Sequence, residues 1–316
     1  MKGKIFVLSF SLLVASTLPA QVSYPYALHY FSDSIERQVV RTAYMDEKPA
    51  KPNGKTVVLL HGKNFNGYYW KNLIPSLLDK GFRVIVPDQP GWGRSEKPDL
   101  HYSFHLLAGN TQRLLSSLQI DKVTVIAHSM GGMLGIRFSL MYADMVEKLV
   151  LENPIGLEDY KTFVPYQPVT AAYKKEKAAT YESYKKYQQS YYPEWKPEYE
   201  QYVAAQAEAL KDPDFERIAW VNAVTYQMIY EQPVVYELGN IKVPVLLIIG
   251  QADRTIVGKD LLSPDQQKLH GQYPELGKAA HRAIKNSQLV ELKGVGHIPH
   301  IQSPVEFEKA VFGFIE

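Results

Sequence analysis

The stretch Ala127-His128-Ser129-Met130-Gly131-Gly132 sets a serine at the junction of two patterns. An apolar run over 122–127 reads as a buried strand, and a helical pattern over 131–142 begins just past Ser129. Small residues, Ala127 and Gly131, flank the serine two positions away on either side. That spacing suits a strained strand-to-helix turn that lifts a hydroxyl out of a sheet, because bulkier neighbours would collide there. Such a turn also aims the following N–H groups at developing negative charge. A serine alcohol is a poor nucleophile near neutral pH and needs a base, itself oriented by an acid. Of nine histidines, His297 lies in Gly294-Val295-Gly296-His297, just past the last strand pattern. A short glycine-rich loop there could carry an imidazole back over the sheet. His300 starts the approach to the final helix and reads as structural. His128 adjoins the serine but points elsewhere on a sharp turn.

The elements that must position these groups alternate along the chain. Strand candidates are 38–44, 56–60, 83–87, 122–127, 146–151, 245–250 and 288–292, several of them continuous Val/Ile/Leu runs as expected of parallel strands buried on both faces. Helical patterns over 69–80, 104–118, 131–142, 275–284 and 305–314 fall between them. This alternation predicts an α/β fold with a mostly parallel, doubly wound sheet. The rhythm breaks over 155–236, where 13 of the 22 tyrosines fall and no buried strand is evident. Tyr181, Tyr184, Tyr187 and Tyr191 recur at helical spacing, and 199–210 also reads as helix. The segment is expected to be a helical insertion between two strands.

With these residues in place, the chain resembles the α/β-hydrolase fold family, in its serine-nucleophile branch of haloperoxidases, esterases, lactonases and carbon–carbon bond hydrolases. The resemblance covers nearly all of 37–316. His61-Gly62-Lys63-Asn64-Phe65-Asn66-Gly67-Tyr68-Tyr69-Trp70 is similar to the family's oxyanion loop, and Asp88-Gln89-Pro90-Gly91-Trp92-Gly93-Arg94-Ser95 to its Asp-x-x-Gly-x-Gly-x-Ser loop. The family's pattern puts the catalytic histidine at His297 and the acid at Asp253, after the penultimate strand, giving the chain order Ser129, Asp253, His297 expected for this fold. Some members place the acid one strand earlier. Asn153 there cannot carry charge, which leaves Glu152 as the alternative. Asp88 reads as holding its own glycine loop. Met130, directly after the serine, supplies one oxyanion N–H, and matching the His-Gly loop makes Lys63 the second donor. Asn64 stands where many relatives have proline or glycine, so Asn64 and Phe65 remain alternatives.

Composition narrows the partners. With 316 residues, 46% hydrophobic and 22% charged, the chain can bury a sizeable core and is not of disordered type. The absence of cysteine excludes disulfides, thiolate metal sites and a cysteine nucleophile. Residues 1–20 combine basic Lys2 and Lys4, an apolar run over 5–18 and Pro19-Ala20, the pattern of a secretory signal cut after Ala20. The expected location is therefore periplasmic or secreted, with no stable membrane anchor after cleavage. Losing Lys2 and Lys4 would leave 33 basic and 33 acidic residues, without the field that nucleic acid or an anionic membrane requires. His101-x-x-x-His105 has the spacing of a helical zinc pair but lacks an acidic third ligand, so no metal and no cofactor are expected. Phosphate and dinucleotide loops are absent: Gly258-Lys259 runs into Asp260, and Gly91-Trp92-Gly93 has no third glycine.

The resemblance thus implies a serine hydrolase cleaving a small-molecule carboxylic ester or lactone, with a core over 21–154 and 237–316 and a cap over 155–236. Carbon–carbon hydrolases and perhydrolases share its triad, and a non-catalytic binding protein of the same fold is the reading from another class. Ser129 speaks against haloalkane dehalogenases and epoxide hydrolases, whose nucleophile in this fold is aspartate. The tyrosine-rich cap would suit aromatic or polyketide-like acyl groups. Asp253 and His297 stand 44 positions apart, farther than usual in relatives, and 260–271 with 273–277 is expected to form an extra loop walling the pocket beside His297.

Overall fold

The structure, a computed structural model, describes residues 22–316. The signal expected over 1–20 lies outside the described residues. Eight strands form one sheet in the order β1-β2-β4-β3-β5-β6-β7-β8. They are β1 (His29–Ile35), β2 (Gln38–Glu47), β3 (Thr56–Leu60), β4 (Arg83–Pro87), β5 (Val123–His128), β6 (Val146–Glu152), β7 (Val245–Gly250) and β8 (Ser287–Leu292). β2 runs antiparallel to both β1 and β4, and every other pairing is parallel. Parallel pairing is possible because helices return the chain between strands and cover both faces.

Alternate residues divide the core. From β3, Val57 and Leu59 pack on one face with helices α1 (Leu73–Asp79) and α11 (Pro304–Ile315), while Val58 and Leu60 pack on the other with α2 (Phe104–Ser117) and α3 (Met130–Met141). The same two-sided burial makes β7 a continuous apolar run and leaves every residue of β5 buried, Thr124 and His128 included. Each fully buried Val, Leu or Ile contributes roughly 1.5–3 kcal/mol of burial. α2 starts where the Ser103 hydroxyl accepts the Leu106 N–H at 3.0 Å, satisfying one of the helix's unpaired donors.

β1 carries no apolar signature: its sequence is HYFSDSI, and most of it faces solvent at the sheet edge. It pairs with β2 through Glu36 and Arg37, both at positive φ (47° and 65°), the conformation a tight two-residue hairpin turn requires. Those residue types give no turn signal, which is why the strand is invisible in the sequence.

Between β6 and β7 the chain leaves the sheet and builds four helices, α4 (Val169–Lys177), α5 (Tyr181–Gln189), α6 (Glu200–Ala207) and α7 (Phe215–Glu231). α5 begins with a reciprocal Thr180–Ser183 capping box. Tyr192, Tyr199 and Tyr202 join the core cluster of α1 and α11, with the Tyr192 and Tyr199 rings stacked at 4.0 Å, so this layer is bonded firmly to the sheet's flank. After β7 come α8 (Pro264–Leu269) and α9 (Tyr273–Ala283), then β8, α10 (Pro299–Gln302) and α11. The extra loop expected over 260–271 and 273–277 is thus largely helical, in α8 and the first turn of α9. Ser263 and Gln266 form a capping box that starts α8 with Pro264 in its first turn, a local signal outweighed in the sequence by the polar composition.

Candidate active site

All the groups of interest stand at the carboxyl ends of neighbouring strands, where pockets open in sheets of this kind. Ser129 follows β5 with φ 56° and ψ −119°, a conformation costly for a residue with a side chain. Neighbouring backbone over-determines it. Ser129 N–H donates to Glu152 O at 3.1 Å, and Ser129 O accepts from Gly132 and Ile155. Gly131 is required here, since a Cβ would sit 2.2 Å from the carbonyl oxygen of Leu60.

The structure brings Ser129, His297 and Asp253 into one hydrogen-bonded line. His297 Nε2 lies 2.9 Å from Ser129 Oγ, and His297 Nδ1 lies 2.7 Å from Asp253 Oδ2. All three are buried. The carboxylate accepts a hydrogen bond from Nδ1–H, which keeps the proton on Nδ1 and leaves Nε2 to accept the serine hydroxyl. Burial opposes ionisation of Asp253. The facing His297 and hydrogen bonds from His297, Thr255 and Asn153 outweigh it and hold the carboxyl below its ordinary range.

Asn153 is a site residue that the sequence reading missed. It was set aside because it cannot carry charge, yet its neutral amide is what the acid needs. Nδ2 donates to Asp253 Oδ2 at 2.6 Å, and Oδ1 accepts the Gly250 N–H at 2.9 Å. Thr255 N–H donates to the other carboxylate oxygen at 2.9 Å. The alternative acid, Glu152, faces away from the serine hydroxyl. It accepts His300 N–H at 2.7 Å and meets His300 Nδ1 at 2.9 Å, pinning the start of α10, while His300 stacks on Trp70.

The loop after β3 places Lys63 in the lining of the cavity that Ser129 also lines. Lys63 O accepts the Trp92 indole N–H at 2.6 Å, fixing the following peptide. The Phe65 N–H is taken up by Gly62 O, which removes Phe65 as a donor to substrate. Met130 is the first residue of α3, so its N–H has no acceptor within the helix. His128 braces the arrangement from behind. Its Nε2 donates to His297 O at 2.8 Å, which leaves Nδ1 to accept from the Tyr69 hydroxyl at 3.2 Å, and that hydroxyl accepts Gly62 N–H at 3.0 Å. Burial, then the neighbouring His297 and His300, drive the His128 pKa well below its ordinary value and keep it neutral. Asp88 receives Gly67 N–H, Arg94 N–H and the Tyr24 hydroxyl, and so holds the two glycine loops together. His101 precedes α2 whereas His105 lies inside it, so the pair does not share one helix face.

Ser129 opens into a cavity of about 390 Å³. Its walls are mostly apolar or aromatic, with Ile155, Tyr184, Tyr187, Tyr191, Tyr226, Ile229 and Val257 contributing. Charges among the lining residues pair off, Lys175 with Asp260 at 2.7 Å and Lys63 with Glu176 at 3.9 Å. From the segment after Asp253, Thr255, Val257, Gly258 and Asp260 reach this lining, whereas 261–272 does not. Of the loop expected to wall the pocket, Asp260 therefore does so, and the expectation is corrected for 261–271 and 273–277, which fold largely into α8 and the start of α9.

A family model described as the alpha/beta hydrolase fold matches residues 55–304. Among solved structures, a probable hydrolytic enzyme from Pseudomonas aeruginosa PAO1 is similar over 93% of this chain and 96% of its own, at 43% identity and a TM-score of 0.91. An enol-lactonase from Burkholderia xenovorans LB400 shares the fold, with a TM-score of 0.69 at 21% identity over 90% of this chain and 99% of that one. Among curated proteins, a haloalkane dehalogenase from Mycobacterium marinum is 30% identical over 164 residues, 48% of this chain and 54% of that protein. The chain thus spans about half the length of that relative.

Proposed function

Because the chain belongs to the α/β-hydrolase family, we propose that it is a serine hydrolase cleaving a carboxylic ester or lactone through an acyl-enzyme on Ser129. The observation that carries this reading is the Ser129 Oγ–His297 Nε2 contact of 2.9 Å, on a ring whose other nitrogen faces the buried Asp253 at 2.7 Å. Ser129 attacks the carbonyl carbon as its proton passes to His297 Nε2, and the carbonyl electron pair moves onto oxygen. Asp253 stabilises the imidazolium that results. The Met130 and Lys63 main-chain N–H groups stabilise the oxyanion. Collapse expels the alcohol, which takes the proton from His297. Water activated by the same imidazole then releases the acid.

The likeness to a dehalogenase does not carry over its chemistry. Displacing halide from a saturated carbon with a serine alkoxide would leave an ether, which a water attacking at a carbonyl cannot release; an aspartate forms an ester that can be hydrolysed. The paired charges and tyrosine rings of the cavity suit an uncharged, aromatic or polyketide-like acyl group. Residues 1–20, read as a cleavable signal, would place the enzyme in the periplasm or outside the cell, which fractionation of the producing cells tests.

The decisive experiment is Ser129→Ala with a p-nitrophenyl ester and a fluorophosphonate probe. Turnover and labelling should both vanish while the thermal melt stays cooperative. Full turnover in the variant would refute the assignment of the nucleophile. A parent protein that is never labelled would favour the non-catalytic binding protein.

A further inference from the structure

Tyr191, just after α5, joins the cap helices to the reacting groups. Its backbone oxygen accepts the His297 N–H at 2.8 Å. Its ring stacks on the imidazole, with centroids 4.7 Å apart and planes 27° from parallel. Its hydroxyl accepts from Asn64 Nδ2 at 2.9 Å, and Asn64 belongs to the loop beside the serine. The residue before His297 has to be glycine for this approach, since a Cβ on Gly296 would lie 2.1 Å from Tyr191 O. Tyr191 is therefore clamped from two sides with its face turned to His297.

Resting on the serine-hydrolase reading above, we propose that Tyr191 is a positioning residue that stabilises His297 as the imidazolium while Ser129 attacks. The cap is then part of the base, as well as a wall of the acyl pocket. The physical reason is differential. His297 is neutral before attack and cationic once it has taken the Ser129 proton, and the face of an aromatic ring attracts a cation but gains little from a neutral imidazole. The other groups around His297 are Asp253 at 2.7 Å, Ser129 at 2.9 Å, the His128 ring at 4.9 Å and the Tyr273 ring at 6.2 Å. Of these Asp253 supplies the counter-charge, and neutral His128 adds no repulsion. The bond from His297 N–H to Tyr191 O, close against Gly296, sets the ring over the imidazole from the backbone side, so the stacked face does not depend on the hydroxyl.

The test compares Tyr191→Phe, which keeps the stacked face, with Tyr191→Leu, which fills similar space without one. The substrate is p-nitrophenyl acetate, whose acyl group is too small to probe the rest of the cavity. Tyr191→Leu should lower kcat about tenfold with KM within about twofold, while Tyr191→Phe stays within about twofold of the parent in both. A tenfold loss is ~1.4 kcal/mol of transition-state stabilisation, inside the range of such contacts. The acid limb of the kcat/KM profile should move to lower pH in Tyr191→Leu, because its imidazolium is held less strongly, and should stay in place in Tyr191→Phe. Tyr191→Met replaces the Leu variant if that one does not fold by circular dichroism. A Leu variant with parental kcat, or a Phe variant as slow as the Leu variant, would overturn the proposal. Absence of fluorophosphonate labelling in the parent would instead overturn the hydrolase reading beneath it.

Discussion

Replacing Asn153 with alanine removes two buried hydrogen bonds in one step. The amide nitrogen donates to Asp253 Oδ2 at 2.6 Å, and the amide oxygen accepts Gly250 N–H at 2.9 Å. A hydrogen bond to a charged group contributes roughly 1.5–3 kcal/mol, and stranding a buried donor such as the Gly250 N–H costs about 1–3 kcal/mol. Alanine must also take up φ 37°, which asparagine tolerates better. All three effects act in one direction, so urea unfolding at pH 7 should show a loss of ~3–5 kcal/mol. The pH course identifies the source. Asp253 is held below its ordinary range, so what its partners contribute is fully present above the unfolded pKa of about 3.9 and fades as pH falls through the lower folded value. The parent–variant difference should be equal at pH 7 and pH 5. Below about pH 4 it should narrow toward the share belonging to Gly250. His297 keeps its bond to Asp253, so kcat on an ester should fall about tenfold, far short of the ~10⁴-fold that accompanies a triad acid replaced by its amide. A stability loss under about 1 kcal/mol at pH 7, or a difference growing in acid, would refute this account of Asn153.

Glu152→Gln should destabilise the chain by ~3–5 kcal/mol, read by urea unfolding, because it strips the charge from a fully buried pair with His300 and turns an amide donor toward the ring. Part of that change should appear as lower kcat, since the clamp at His300 N–H holds the segment that begins at His297. Replacing 261–272 by a short turn should leave relative rates across small and bulky esters within about twofold, because none of those residues lines the cavity. A change in selectivity beyond tenfold would return that stretch to the pocket.

The sequence by itself determined the scaffold and singled out Ser129, His297 and Asp253, which the fold brings into one hydrogen-bonded line. Uninterrupted Val, Ile and Leu runs announce strands buried on both faces, so 56–60, 83–87 and 245–250 were legible to the residue. Ser129 was legible because its turn demands small neighbours at fixed spacing, a constraint written locally in the chain. His297 and Asp253 were found through motifs at the ends of those strands. β1 was not legible, because an edge strand needs no apolar residues and its turn at Glu36 and Arg37 uses none of the usual types. Nor was the helical character of α8, whose two turns are set by a capping box amid polar residues. Only the tertiary structure decided what surrounds these three residues. Asn153, His128, Tyr191 and Asn64 act through contacts between segments up to 169 residues apart, and their local sequence does not record those contacts. Spacing along the chain records what a backbone turn requires, whereas a hydrogen bond between distant loops exists only once the sheet has brought their ends together.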